Sequence, residues 1–167
     1  MAASNTPSTG RPDSQLSSEP PEIEVEFSDT QAHLRVDHAS LRELVGRALR
    51  LEGRNRASIS IAIVDDDTIR RINRAHLGHD WPTDVITFPL SEQDEAILLG
   101  ELVVSAEMAC GFAREHSLDA AGELELYVVH GILHLCGYDD RDEAAAAAMR
   151  NRECAVLAAA RIPSRSG

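Results

Sequence analysis

The sequence predicts a single α+β domain, with a small four-stranded mixed sheet packed against about five helices. Three observations carry that prediction. Four short segments have strand character, either alternating polar and apolar residues with a period of two or running as β-branched stretches. Five segments repeat their apolar residues at helical spacing, two of them interspersed among the strands and three following the last strand. A length of 167 residues suits one domain whose core needs no disulfide or metal staple.

Taken in order, Glu22 to Phe27 alternates charged and apolar side chains and reads as an edge-like strand with one buried face. Asp37 can cap the helix that follows, whose apolar stripe is Leu41, Leu44, Val45, Ala48 and Leu49 and whose stop is Gly53. Ser58 to Val64 alternates again and puts Ile59, Ile61 and Ile63 on one face. Asp65, Asp66 and Asp67 supply a cap and first-turn negative charge for a helix reaching about His76. Asp84 to Phe88 and Leu98 to Val104 are β-branched runs joined by a short acidic loop, which fits a hairpin. Helical patterns then cover Ser105 to about His116, Ala120 to Cys136, and Asp142 to Ala160.

Residues 1–20 are rich in Ser, Pro, Thr and Gly and read as a disordered tail, residues 21–161 as the domain, and residues 162–167 as a frayed end. The tail has no apolar stretch of signal-peptide length, and no run approaches the roughly twenty apolar residues of a membrane helix. Cys110, Cys136 and Cys154 are an odd number without a C-x-x-C spacing. No disulfide partner and a cytoplasmic home are therefore expected. The net charge of −12 argues against a protein that coats nucleic acid non-specifically. Within that acidic chain, Ile69 to His79 is a local cationic island holding Arg70, Arg71, Arg74, His76 and His79.

The chemistry concentrates in His130-Gly-Ile-Leu-His134-Leu-Cys-Gly137-Tyr138-Asp139-Asp140. Side chains four apart on a helix sit over one another, so His130 and His134 face a single point. A His pair alone is commonly a packing pair. Gly137, though, can take the positive-φ conformation that ends a helix and reverses the chain, which brings the carboxylate of Asp140 to the same point. Two nitrogens and one oxygen make a three-ligand site with an open position, the pattern of a working rather than a structural zinc site. Cys136 points away from the imidazoles and reads as core.

The spacing is the zincin pattern of metallopeptidases, which place a general-base glutamate directly after the first histidine. Here that residue is Gly131, which has no proton acceptor. Glu123 shares the helix face of His130 but lies about 10 Å away along the axis and reads as a surface charge.

On these residues the chain resembles the YbeY-type endoribonucleases, small bacterial metalloproteins. His130 to Asp139 match the family motif H-G-x-L-H-L-x-G-Y-D-H at every fixed position. Asn73 followed by Asp80-Trp-Pro-Thr-Asp-Val-Ile-Thr-Phe-Pro89 resembles a second signature, and Leu99-Gly-Glu-Leu-Val-Val-Ser105 a third. Met149 and Glu153 also sit where the family tends to have them, and the likeness runs from about Ile23 to Ala160. It implies a single-strand-specific, metal-dependent endoribonuclease acting in 16S rRNA 3′-end maturation and late 70S ribosome quality control. The partners it implies are single-stranded RNA, the 16S rRNA precursor, and the ribosome or small-subunit proteins. A metallopeptidase and a non-catalytic ribosome-associated RNA-binding protein with a structural metal are the alternatives.

Two departures from the family pattern stand out. Asp140 occupies the place of the third histidine, and Leu77 the place of an arginine thought to help hold RNA. The ligand set expected here is His130, His134 and Asp140 around one Zn2+. The carboxylate makes a harder ion such as Mn2+ a better competitor. Asp139 and Asp84 are expected to support the site from behind, and Arg74 and His79 are the preferred RNA-contacting pair in place of the missing arginine.

Overall fold

The computed structural model describes residues 22–160; the expected tail and frayed end lie outside the described residues. Among the described residues four strands and five helices follow one another as β1 (Ile23–Asp29), α1 (His38–Leu51), β2 (Ala57–Val64), α2 (Asp66–Leu77), β3 (Val85–Pro89), β4 (Leu98–Ser105), α3 (Ala106–His116), α4 (Ala120–Leu135) and α5 (Glu143–Ala160). The sheet order is β1-β2-β4-β3, parallel across the first two pairs and antiparallel at β3–β4. The architecture is thus the α+β arrangement expected, and the hairpin is the one antiparallel pair.

Local chemistry sets the boundaries. Asp37, Asp65, Ser105, Asp119 and Asp142 each cap a helix by accepting a backbone N–H three residues on. Ile59, Ile61 and Ile63 are buried on one face of β2, as their period-two spacing requires.

The core lies between that face of the sheet and the helices, and α4 runs through its middle. Leu124, Val128, Val129, Ile132, Leu133 and Leu135 of α4 are all buried. A helix apolar on nearly all sides has nowhere to go but the interior. Gly131 faces the sheet: a Cβ there would stand 2.8 Å from Leu102 Cδ2 and 3.1 Å from Val85 Cγ2. The missing side chain lets α4 lie close on β3 and β4, and so fixes where its histidines emerge. A smaller cluster of Val64, Ile69, Ile86 and Val103 seats α2 on the opposite face.

Candidate metal centre

Helix α4 ends at a reversal whose hydrogen bonds follow from Gly137. That residue has φ +104°, its N–H donates to the His134 carbonyl at 3.0 Å, and the Tyr138 N–H donates to the Leu133 carbonyl at 3.1 Å. This is the paired closure of a Schellman motif, which satisfies the last carbonyls of the helix and turns the chain back over its final turn. Tyr138 is pinned beyond the turn, its hydroxyl donating to Glu52 at 3.0 Å while Arg152 pairs with the other oxygen of the same carboxylate. Gln93 donates to the Leu135 carbonyl at 2.8 Å and ties the β3–β4 loop to the same helix end.

The reversal brings three ligand atoms together. His130 Nε2 and His134 Nε2 are 3.0 Å apart, and Asp140 Oδ2 lies 3.6 Å from the first and 3.8 Å from the second. A point equidistant from atoms so spaced lies about 2 Å from each, the length of a zinc–nitrogen or zinc–oxygen bond. The outward nitrogens fix the tautomers. His134 Nδ1 faces the Tyr138 carbonyl at 3.0 Å, and a carbonyl only accepts, so Nδ1 carries the proton. His130 Nδ1 donates to the carboxylate of Glu153, which is buried on α5. In the neutral imidazoles both Nε2 lone pairs then face the shared point, an arrangement that a cation relieves and that no hydrogen bond between them can. The donor set therefore fits a divalent transition ion.

The other expected site residues fall in two groups. Asp84, at the start of β3, lines the cleft beside His130, where its carboxylate accepts from Val85 N–H at 2.8 Å and from the Thr83 hydroxyl at 3.1 Å. Asp139 is exposed and accepts from Arg141 N–H at 3.3 Å, a turn contact. Arg74 and His79 are both exposed, and neither lines the cleft, although His79 packs on Trp81, which does. Arg70 is bound by Asp80 at 2.9 Å and Arg71 by Asp67 at 3.4 Å, which takes two charges out of the cationic island.

One acid departs from the expectation drawn from spacing, and a second gains a partner that spacing did not assign. Glu123 is not a surface charge: it is buried and lines the cleft along with Tyr127, whose hydroxyl pKa is pushed up by burial and by the Glu123 and Asp84 carboxylates. Glu153 is the partner of His130, and its hydrogen bond holds the His130 pKa above the usual 6.5. Its signal lay in the stripe Met149, Glu153, Val156, where an acid occupies a position spaced for the core. Cys136 is inert, its thiol pushed up to about 11 by burial.

Residues 25–161 match the family described as Endoribonuclease YbeY. The chain belongs to the YbeY endoribonuclease family. It is 43% identical over 138 residues to an Endoribonuclease YbeY of Rhodopirellula baltica, covering 81% of this chain and 71% of that one. The YbeY of Carboxydothermus hydrogenoformans is 36% identical over 137 residues, covering 80% and 95%. The solution structure of TM1509 from Thermotoga maritima superposes with a TM-score of 0.61 at 28% identity, over 83% of this chain and 89% of that one. Among the described residues no helix is long and apolar enough to cross a membrane.

Proposed function

We propose that this YbeY-family chain is a single-strand-specific endoribonuclease that works with one divalent ion, zinc by preference, held by His130, His134 and Asp140. Family membership supplies the activity class, cleavage of RNA phosphodiester bonds. The observation that carries the metal dependence is the convergence of three ligand atoms whose histidine tautomers are fixed from behind by Glu153 and the Tyr138 carbonyl. When bound, the ion supplies Lewis acidity toward a phosphoryl oxygen and a local positive charge for the transition state.

The chain's own groups do the rest. Glu153 and Tyr138 orient the two imidazoles, and Asp84 lines the cleft just ahead of β3, where it accepts from the Val85 N–H. Tyr127 holds its phenolic proton in the cleft. Asp140 contributes an anionic ligand, which lowers the net charge of the ion relative to three neutral imidazoles and so moderates its acidity. Gly131 argues against peptidase chemistry: the position after His130 faces Leu102 and Val85, and no general base has room there.

The RNA reading supports 16S rRNA precursor and ribosome-associated substrates, with ribosomal small-subunit proteins as partners. The unpaired Cys110, Cys136 and Cys154 fit the reducing cytoplasm in which such substrates reside. The test is elemental analysis of the purified protein joined to cleavage of single-stranded RNA. About one divalent ion per chain and cutting that disappears in His134→Ala are expected. Full cutting by a metal-free His134→Ala protein would overturn the proposal.

A further inference from the structure

The cleft beside the metal ligands has a volume of about 540 Å³, within the range of small-ligand sites. Its lining is unusual for this chain. The sequence has only six aromatic residues, one Trp, two Tyr and three Phe, and three of them, Trp81, Phe112 and Tyr127, line this one cleft. Trp81 is 56% exposed and Phe112 40% exposed, so two large rings stand open to solvent where burial would otherwise stabilise the fold. Neither is there by looseness of the chain. The buried side chain of Asn73 donates to the Trp81 carbonyl at 2.9 Å and fixes that loop, and Phe112 sits on α3 stacked on His116 at 4.0 Å.

The charges of the cleft are equally selective. Asp84, Glu123, Asp140 and Glu153 line it, and Arg150 of α5 is its only arginine. The Arg150 guanidinium has no hydrogen-bond or ion-pair partner among the described residues. In so acidic a cleft that guanidinium is the one full positive charge the lining side chains offer a phosphate.

We infer that this cleft is a nucleotide subsite in which Trp81 and Phe112 stack an unpaired base and Arg150 takes an adjoining phosphate. Stacking on open aromatic faces tolerates any base and requires that it be unpaired, so the subsite accounts for single-strand selectivity. The inference rests on the nuclease reading for what occupies the cleft, but it is tested separately. Trp81 is the chain's only tryptophan, so its fluorescence reports this one position.

The experiment titrates the zinc-loaded full-length chain with 2′-O-methyl oligoadenylate and with an abasic strand of equal length and charge, and measures RNA cleavage on the same samples. Saturable quenching by the oligoadenylate and none by the abasic strand is expected. Phe112→Leu should weaken binding about tenfold, the scale of one lost stacking contact. Arg150→Gln should weaken it and reduce the slope of log affinity against log salt by about one. Equal quenching and affinity with the abasic strand, or unaltered binding in both variants, would overturn the subsite even if RNA is still cut. Base-dependent quenching in a protein that cuts no RNA would sustain the subsite and remove the nuclease reading instead.

Discussion

Single side chains decide whether an ion is held. Asp140 is the proposed third ligand, and its oxygen stands at 3.6 and 3.8 Å from the two imidazole nitrogens. Isothermal titration should therefore show Asp140→Ala binding zinc at least about tenfold more weakly, Asp140→His binding as well or better, and Asp139→Ala unchanged. Equal zinc affinity in wild type and Asp140→Ala would take Asp140 out of the ligand set. The Glu153 carboxylate makes the same site sensitive to pH. It raises the His130 pKa above the usual 6.5, so in the metal-free protein the His130–Glu153 pair stabilises the fold fully below that value and loses its effect as pH rises through the raised pKa. Ion binding needs His130 deprotonated and gains in the opposite direction. The difference in Tm between zinc-loaded and stripped protein should accordingly widen from about pH 6 to about pH 8; a difference that is flat or narrows over that range would contradict the proposed competition. Glu153→Gln should weaken zinc binding at pH 8 by about ten- to a hundredfold, the range seen when groups behind a ligand are removed.

At the scale of elements, the site is a consequence of where α4 lies and how it ends. Gly131 lets the helix rest against Leu102 and Val85, and a methyl group there would be within 2.8 Å of the Leu102 side chain. Gly131→Ala should cost about 1–3 kcal/mol in chemical denaturation, as overpacking of a filled interface does, and should shift His130 relative to Asp140. A wild-type denaturation midpoint would show that the helix has slack there. This is also where sequence reading was strongest. The two histidines, the glycine and the aspartate lie within eleven residues, and helical geometry with one positive-φ glycine is enough to bring them together. Glu153 was harder to read as a partner, because its contact with His130 joins two helices separated by a turn. Glu123 shows the converse error, since the face it shares with His130 was correct but its burial depends on what α4 packs against. The strand periods were plain, while the order β1-β2-β4-β3 depends on the crossovers and has no local signature.

For the molecule as a whole, the structural question is whether the ion builds the fold or only works in it. The core of Val45, Leu49, Ile59, Ile61, Leu102, Val128 and Ile132 is closed by the sheet and helices without help from the ligand residues. The reversal that carries Asp140 is held by Gly137, Tyr138, Glu52 and Arg152. A domain of this size does not need a metal staple. The cleft assembles from the α2–β3 connection, α3, α4 and α5, so Arg150, Trp81 and Phe112 are far apart in sequence and only the tertiary fold joins them, whereas the basic run around Arg74 is local. The most direct test of the account is cleavage of single-stranded RNA by chelator-stripped protein, before and after zinc is added back, with far-UV circular dichroism recorded on the same sample. The expected result is cutting that vanishes on stripping and returns with zinc while the spectrum stays unchanged. Undiminished cutting by the stripped protein, or collapse of its spectrum, would contradict the account.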